Sequence, residues 1–313
     1  MILTPASGAH YQFSEASYHD RSTSSYYHGV WSNATSAWNN TGAFTWTEDT
    51  DPNCLTYTSS VSKDSGAWAD ATGMTWNNVT TDSSGNQTGA KIYLNRYNLK
   101  KYDYSQQERT YVAEHELGHA MGLAHNEVNS DSVMNPANRD NSIQTCDVDG
   151  INSIYNTQDS LNVSPSVDIE YAKDYSGGNG VADIKRDAQI IVAGTVTNST
   201  PHSDDLESGN AYTTQMLKID NSLKGGITGL IEFNQAGTTN VKVADSQLLK
   251  KGDRVVVMLD KDDNGEYYVI DDGQGIFLNN SQDGDSLGTS PLGSNDLFVR
   301  VSDHQSFAEN MLK

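Results

Sequence analysis

Residues 115–125 read His-Glu-Leu-Gly-His-Ala-Met-Gly-Leu-Ala-His, and their spacing indicates how the first half of the chain folds. Because His115 and His119 are four residues apart, a helix would point both imidazoles the same way, as two ligands of one metal ion require. Gly122 can adopt a positive φ, which would end the helix and let His125 return to the same ion. The spacing therefore predicts a three-histidine zinc site whose fourth position is open to water.

Glu116 follows the first histidine and is the predicted catalytic residue. A rotation of about 100° per residue places its carboxylate beside the ion rather than on it. From there it can accept a proton from a metal-bound water. The competing interpretation is three unrelated histidines beside an ordinary surface carboxylate, and the rarity of the full eleven-residue spacing argues against it.

The residues around the zinc motif indicate how it is built into a domain. Ser105 and Glu108 form a capping-box pattern, which predicts that the helix of the motif begins at about residue 106. Apolar residues at spacings of three and four between Tyr27 and Trp38 predict an earlier amphipathic helix. The other predicted elements are strands at residues 10–13, 44–47, 55–60 and 91–95, a polar loop over 80–89 and a last helix over 148–155.

Met134 lies in the stretch Ser-Val-Met-Asn-Pro of residues 132–136 and suits an apolar floor beneath a three-histidine site. With the zinc motif, it makes the chain resemble the metzincin zinc endopeptidases, whose signature is the elongated zinc motif plus a methionine turn. Residues 114–125 are similar to the active helix of the matrixin-like branch, and residues 147–155 to its closing helix. The resemblance covers about residues 8–157.

This resemblance implies an α+β catalytic domain in which a mixed five-stranded sheet covers the active helix, with one catalytic zinc ion and metalloendopeptidase activity. It also implies a horizontal cleft in which an unpaired edge strand of the sheet holds the substrate extended. Residues 135–145 are expected to wall the pocket for the side chain that follows the cut, beginning with Asn135, Pro136 and Ala137.

The sequence pattern changes after residue 157. Residues rich in Asn, Ser and Asp predict a linker over 158–167. Over residues 168–313, short apolar stretches separated by Gly, Asp or Asn turns predict an all-β accessory domain, either a barrel or a sandwich. The predicted organisation is thus a catalytic domain over 1–157, this linker, and the β domain.

One segment of the second half has the pattern of a calcium loop. Asp260, Asp262, Asn264 and Asp271 have the spacing of oxygen ligands, with Gly265 at the sixth position. The flanking strand patterns and the Asn-Gly pair favour a β-hairpin turn instead. Calcium is therefore the alternative interpretation of this segment.

The two cysteines, Cys54 and Cys146, are too few for a four-cysteine zinc site or a disulfide-stapled mini-protein. They are sufficient for one possible disulfide, which would close a loop of about 90 residues. Two free buried thiols are the alternative.

Composition restricts the function classes. The chain has 313 residues, with 20 Lys and Arg against 41 Asp and Glu, which gives a net charge of −21. A nucleic-acid binder would carry a basic stripe, and a membrane span needs roughly 20 apolar residues; the sequence has neither. The N-terminus lacks the charged start and apolar core of a signal peptide. Beside a protease motif, the low basic content predicts a secreted enzyme whose signal peptide and pro-segment are absent from this chain.

The sequence therefore predicts a zinc-dependent endopeptidase that hydrolyses peptide bonds of extracellular proteins through a water activated by Glu116. Its expected partners are protein or peptide substrates. The alternative is a zinc-containing binding protein in which the C-terminal β domain attaches to a surface or a glycan, because half of the chain carries no catalytic motif. The intact Glu116 argues for the enzyme.

Overall fold

The chain divides into two units. The first comprises Met1–Lys63 and Ala71–Lys173, and the second comprises Asp64–Asp70 and Asp174–Lys313. The computed structural model describes residues 3–126, 131–156, 166–173, 175, 180–202, 211–244, 246–279, 297–302 and 306–308. The first unit has mixed α+β structure and the second is an all-β barrel with a short helix, so the predicted fold class is confirmed.

A mixed sheet and four helices form the first unit. Its strands are β1 (Glu15–Asp20), β2 (Thr45–Glu48), β3 (Tyr57–Val61), β4 (Ala71–Thr81), β5 (Gln87–Asn95) and β6 (Ser166–Tyr171). Its helices are α1 (Ser25–Thr41), α2 (Arg96–Lys101), α3 (Gln106–Ala120) and α4 (Thr145–Asn156). Within this unit the strand order is β6-β4-β5-β3-β1-β2. The pairs among β1, β2, β3 and β5 are parallel, whereas β4 is antiparallel to both β5 and β6.

Strands β1 to β5 are the five-stranded mixed sheet that the resemblance implied, and β6 adds a sixth strand. It pairs with the edge of β4 that would otherwise be the edge of this sheet. Because of this pairing, the first unit extends past the predicted end at residue 157, to Lys173. The predicted linker over 158–167 lies outside the described residues except for its last two positions, which begin β6.

The helix that carries the zinc motif begins as its sequence predicts. The Ser105 hydroxyl accepts a hydrogen bond from the Glu108 backbone N–H, and the Glu108 carboxylate accepts one from the Ser105 N–H, so the capping box starts α3 at residue 106. Helix α1 buries Trp31 and Trp38 in the core shared with α3. The Trp38 indole N–H donates to the carbonyl oxygen of Glu114 at 2.8 Å, which fixes one helix against the other.

One strand prediction was wrong, and one strand was missed. The first strand is Glu15–Asp20 rather than residues 10–13. Strand β4 was not predicted, and its last residues lie where a polar loop was expected. From Ala71 to Asn78 every residue of β4 is buried, so its sequence lacks the alternation of a half-buried strand.

The second unit settles the choice between barrel and sandwich. Its described strands are β7 (Ile190–Pro201), β8 (Tyr212–Lys224), β9 (Leu230–Ala236), β10 (Lys242–Val243), β11 (Arg254–Lys261), β12 (Tyr267–Val269), β13 (Ile276–Asn279), β14 (Leu297–Arg300) and β15 (Ser306–Ala308). Helix α5 (Gly180–Asp187) and the short 3-10 turns Gly66–Trp68 and Asp272–Gly275 complete it. The order β7-β8-β9-β12-β11 closes on itself because β11 also pairs with β7. The result is a closed five-stranded barrel.

The calcium-like segment folds as the hairpin between β11 and β12. The Asp262 carboxylate accepts hydrogen bonds from the backbone N–H groups of Asn264 and Glu266, at 2.9 and 2.8 Å. Among the described residues, no group of three metal-binding side chains includes Asp260, Asp262 or Asp271. The calcium site stays a prediction, and the observed turn is the hairpin.

The possible disulfide is not formed. Cys54 lies between β2 and β3, and its thiol donates to the carbonyl oxygen of Ser17 at 3.6 Å. Cys146 lies in the first turn of α4, and its thiol donates to the carbonyl oxygen of Asp131 at 3.5 Å. Burial raises the pKa of both thiols, which keeps them protonated.

Within the described part of the chain, no helix combines the length and the apolar composition that a membrane crossing requires.

Candidate metal centre and active site

Three histidines converge at the end of α3. The Nε2 atoms of His115 and His119 lie 2.9 Å apart, and the ring centroid of His125 lies 5.3 and 4.8 Å from theirs. His115 and His119 are fully buried, and His125 is half-buried. Ligand atoms of all three lie within 4.8 Å of one another. The structure thus brings the predicted ligand set together around a position that one metal ion can fill.

Backbone carbonyl groups orient the two buried rings. His115 Nδ1 lies 2.7 Å from the carbonyl oxygen of Val133, and His119 Nδ1 lies 2.9 Å from that of Leu123. A carbonyl oxygen can only accept, so each Nδ1 carries the proton and each Nε2 offers its lone pair to a metal. Hydrogen bonds of this kind hold the ring and raise its basicity as a ligand.

The chain reverses direction at Gly122, directly beyond α3. Its φ is +107°, a conformation that strains an L side chain, and a Cβ there would lie 2.9 Å from a neighbouring backbone oxygen. The N–H groups of Gly122 and Leu123 donate to the carbonyls of His119 and Gly118, which closes the helix end. This turn returns His125 to the other two histidines.

Met134 forms an apolar floor against α3. It is fully buried, and its sulfur lies so close to Gly118 that a Cβ on this glycine would be 2.3 Å from it. Its carbonyl oxygen accepts a hydrogen bond from the Asn126 N–H at 2.8 Å, directly after His125. The methionine turn therefore supports the helix of the first two ligands and also fixes the segment of the third.

A buried carboxylate that the sequence analysis gave no role organises this turn. Asp147 accepts hydrogen bonds from the hydroxyls of Thr4 and Ser132, at 2.6 and 2.5 Å, and from the N–H groups of Val133 and Gln144, both at 3.0 Å. The Asp147 side chain exposes no surface. Because the carbonyl of Val133 accepts from His115, Asp147 positions the first metal ligand through the turn.

Glu116 lies beside the histidines and is fully buried. Its Oε2 accepts a hydrogen bond from Thr75 Oγ1 at 2.5 Å, whereas its Oε1 has no hydrogen-bond partner among the described residues. Oε1 lies against Gly73 of β4, where a Cβ would be 2.2 Å from it. Burial raises the pKa of Glu116 well above its usual value, the Thr75 hydrogen bond lowers it, and Asp168 raises it. The carboxylate therefore binds a proton more tightly than an exposed glutamate does.

This geometry agrees with a known family. Residues 10–156 match the family model of the matrixin peptidases. They form a metzincin-like catalytic domain of the matrixin type. The chain accordingly carries a zinc metalloendopeptidase domain, and the three histidines are a group in this domain that fits the metal.

Solved structures resemble the chain as well. One of them is High choriolytic enzyme 1, a hatching enzyme zinc-protease from the medaka fish Oryzias latipes. It is 15% identical, and the match covers 50% of this chain and 95% of that chain with a TM-score of 0.28. A likeness this weak does not bear on the activity. No curated protein sequence matches the chain significantly.

Two acidic residues of β6, which the sequence analysis assigned to no site, also face the metal centre of the matrixin domain. Asp168 Oδ1 lies 3.6 Å from His119 Nδ1. Glu170, His115 and Glu116 form a second group of three metal-binding side chains whose ligand atoms lie within 4.8 Å of one another. The centre thus contains three carboxylates and three imidazoles.

The predicted wall of the substrate pocket lies beyond the methionine turn. Asn135, Pro136 and Ala137 are all half-buried, and Ala137 has a φ of +53°. The neighbouring Asn138 is buried and hydrogen-bonds with the backbone of Asn141, which makes this segment a defined turn. Contact with substrate stays a prediction for these residues.

Zinc release should follow the protonation of the histidines. Burial and the neighbouring His125 lower the pKa of His115 to about 3, and burial lowers that of His119 well below its usual value. A lowered pKa keeps the imidazole neutral, and so able to bind zinc, at pH values where an exposed histidine is already protonated. We expect zinc to be released only well below pH 6.5, as the pH approaches the value of about 3 at which His115 is protonated. Dialysis at each pH followed by metal analysis measures this. Release centred on the ordinary histidine value of 6.5 would contradict it.

Proposed function

We propose that this metalloendopeptidase hydrolyses peptide bonds of extracellular proteins and that Glu116 activates the attacking water. The observation that carries the mechanism is the position of the Glu116 carboxylate. It lies beside the three converged imidazoles, and one of its oxygens is held by Thr75. The other oxygen has no hydrogen-bond partner among the described residues and is therefore available for a proton.

The donor set fits zinc, which binds three imidazoles and keeps a fourth position open in catalytic sites. When bound, zinc supplies Lewis-acid activation of a water molecule and of the scissile carbonyl group. Glu116 accepts the proton that the water loses and later delivers it to the leaving amine. Its raised pKa makes Glu116 a stronger base than an exposed glutamate, which supports the removal of the proton from the water.

The backbone of the domain orients the histidine rings, and Thr75 orients the Glu116 carboxylate. The carbonyl oxygens of Val133 and Leu123 hold the two buried rings with Nε2 toward the metal. Thr75 holds Glu116 Oε2, so the carboxylate keeps one orientation during the reaction. Preorganisation of this kind avoids rearranging the site in each catalytic cycle.

Chelation tests the zinc dependence. The zinc-loaded chain is expected to cleave members of a quenched peptide library. A zinc chelator should stop the cleavage and added zinc should restore it, with metal content measured on the same samples. The His119→Ala variant is the matched control, because it lacks one ligand and should remain inactive after zinc is added. Undiminished cleavage by protein from which the metal has been removed would show that the mechanism is wrong.

The extracellular substrates belong to the proposal as well. It is supported by composition, since 20 basic residues stand against 41 acidic ones in a chain with a protease domain. Cleavage-site profiling of a secreted proteome and of a cytosolic proteome tests this choice. Preferential cleavage of the cytosolic proteins would reject it.

A further inference from the structure

Strand β6 occupies the edge of β4 that faces the catalytic groups. Gly73 to Asn77 of β4 pair antiparallel with Glu170 to Ser166 of β6. Thr75, in the middle of this stretch, bonds Glu116 through its hydroxyl. A peptide held extended on this edge of β4 would therefore pass directly beside the catalytic carboxylate, and in this structure the segment in that place is part of the same chain.

The register turns both acidic side chains of β6 toward the metal centre. Residues directly opposite one another in an antiparallel pair share a face of the sheet. Asp168 lies opposite Thr75, and Glu170 lies opposite Gly73. Thr75 and Gly73 both contact Glu116, so Asp168 and Glu170 face the same way.

The contacts of Asp168 agree with this orientation. Its Oδ1 lies 3.6 Å from the Nδ1 atom of His119, and its Oδ2 accepts a hydrogen bond from the side-chain amide of Asn77 at 2.9 Å. Asp168 is thus placed beside a metal ligand, on the side of the ring that does not bind the metal.

Glu170 reaches the other side of the centre. A carboxylate oxygen of Glu170 lies within 4.8 Å of a ligand nitrogen of His115 and of a carboxylate oxygen of Glu116. Glu170 is fully buried, and neither of its carboxylate oxygens has a hydrogen-bond partner among the described residues. A buried carboxylate without a partner is costly, and a second carboxylate beside it adds repulsion. His115 belongs to both groups of possible ligands, so a cation bound at His115 would lie close to both carboxylates.

We propose that β6 occupies the place of the substrate strand and that the Glu170 carboxylate binds the catalytic metal ion as an intramolecular fourth ligand. In this arrangement the matrixin domain is latent, because the edge of β4 and the open position of the metal are both filled. Catalysis requires β6 to leave β4. This inference rests on the proposed function, since it assigns a substrate place to β4 and a catalytic ion to the histidines.

The position of β6 in the chain gives a means of release. It is the last strand of the first unit, which ends at Lys173, two residues after β6. Cleavage of the chain after Lys173 would leave β6 as a chain end, held in place by its own pairing and contacts. The inhibiting strand thus lies after the catalytic residues in the sequence.

A side-by-side measurement on the full chain tests the proposal. The variants are Glu170→Gln, which keeps the shape of the side chain, and Glu170→Ala, which also removes the amide as a ligand. The matched control is Glu232→Gln, on an exposed position of β9. Zinc affinity is measured by competition with a chromogenic chelator. The visible spectrum of the cobalt-loaded protein reports the ligands of the ion, and a quenched peptide reports kcat/KM.

We expect both Glu170 variants to bind zinc about tenfold or more weakly, because they lose a direct ligand. Their cobalt spectra should differ from the wild type, and kcat/KM should rise by about tenfold or more as the open conformation becomes populated. Glu232→Gln should match the wild type in all three. The proposal is overturned if the Glu170 variants match the wild type in zinc affinity, cobalt spectrum and kcat/KM. This holds whatever the thermal stability of the variants.

The two proposals fail in different ways. Chelator-sensitive cleavage at equal rates by the wild type and the Glu170 variants, with identical cobalt spectra, supports the proposed function and rejects the latent strand. Changed cobalt spectra and zinc affinity, with no cleavage of any peptide by any variant, support Glu170 as a ligand and reject the proposed function. Zinc-dependent protection of the β6 amides from hydrogen exchange in the wild type, reduced in Glu170→Gln, supports the contact independently of activity.

Discussion

Glu116→Gln lowers kcat/KM by about 10³-fold while the protein still binds zinc, because proton transfer by a positioned base contributes about 10²–10⁴-fold. The amide keeps the shape of the side chain and can still accept the hydrogen bond from Thr75. It cannot accept the proton from the attacking water. The measurements are kcat/KM on a quenched peptide and the zinc content of the same preparation.

The control for this prediction is Glu232→Gln, the same substitution at an exposed position outside the matrixin domain. It should leave kcat/KM and zinc content unchanged. A Glu116→Gln protein with full zinc and wild-type kcat/KM would remove Glu116 from the mechanism. Loss of zinc together with activity would show instead that the carboxylate is needed to build the site.

Asp147→Ala should destabilise the apo protein by about 3–5 kcal/mol, the range for removing one partner of a buried charged hydrogen-bond network. The substitution leaves two hydroxyls and two backbone N–H groups without their buried acceptor. Because the turn they fix holds His115, zinc affinity should also fall, by about 10- to 100-fold. Urea unfolding of the apo protein and chelator competition measure the two effects.

Asp149→Ala provides a close comparison, since Asp149 lies on the same helix two residues further on and is exposed. It should change the unfolding free energy by less than about 0.5 kcal/mol. Equal unfolding free energies for the Asp147 and Asp149 variants would mean that the methionine turn does not depend on its buried carboxylate. If Asp147→Ala loses stability but keeps its zinc affinity, the turn stabilises the fold without positioning His115.

The metal ligands were predictable because their geometry is local. His115, Glu116 and His119 lie on one helix, and its start is encoded by a capping box only ten residues earlier. Helical spacing then sets their relative directions. The return of His125 needs one glycine at a positive φ, and the sequence contains it.

The carboxylates around the ligands depend on contacts between distant residues. Asp147 acquires its role through a bond to Thr4, 143 residues earlier. The side chains of Asp168 and Glu170 face the metal centre because of the register of β6 against β4, two strands about 95 residues apart in sequence. Residues 166–171 do alternate polar and apolar side chains, which is a strand pattern. The polar composition just before them led to their interpretation as a linker, and a local pattern cannot show which strand it pairs with.

Closure of the barrel was equally beyond local reasoning. The parallel contact between β9 and β12 is a single pair, Asn234 with Tyr268. It joins strands separated by β10 and β11 in sequence, so periodicity alone could not distinguish a closed ring from two stacked sheets.

That ring has a consequence for a protein that carries its own protease. The effective concentration of a protease is highest for the chain to which it is attached, so its own chain is the first substrate it can cleave. Cleavage needs a segment that can be drawn out and laid extended in the active-site cleft. Each of the five ring strands is hydrogen-bonded to a neighbour on both sides, and removing one would open the whole barrel. The five ring strands of the second unit are therefore held in a form that resists self-digestion.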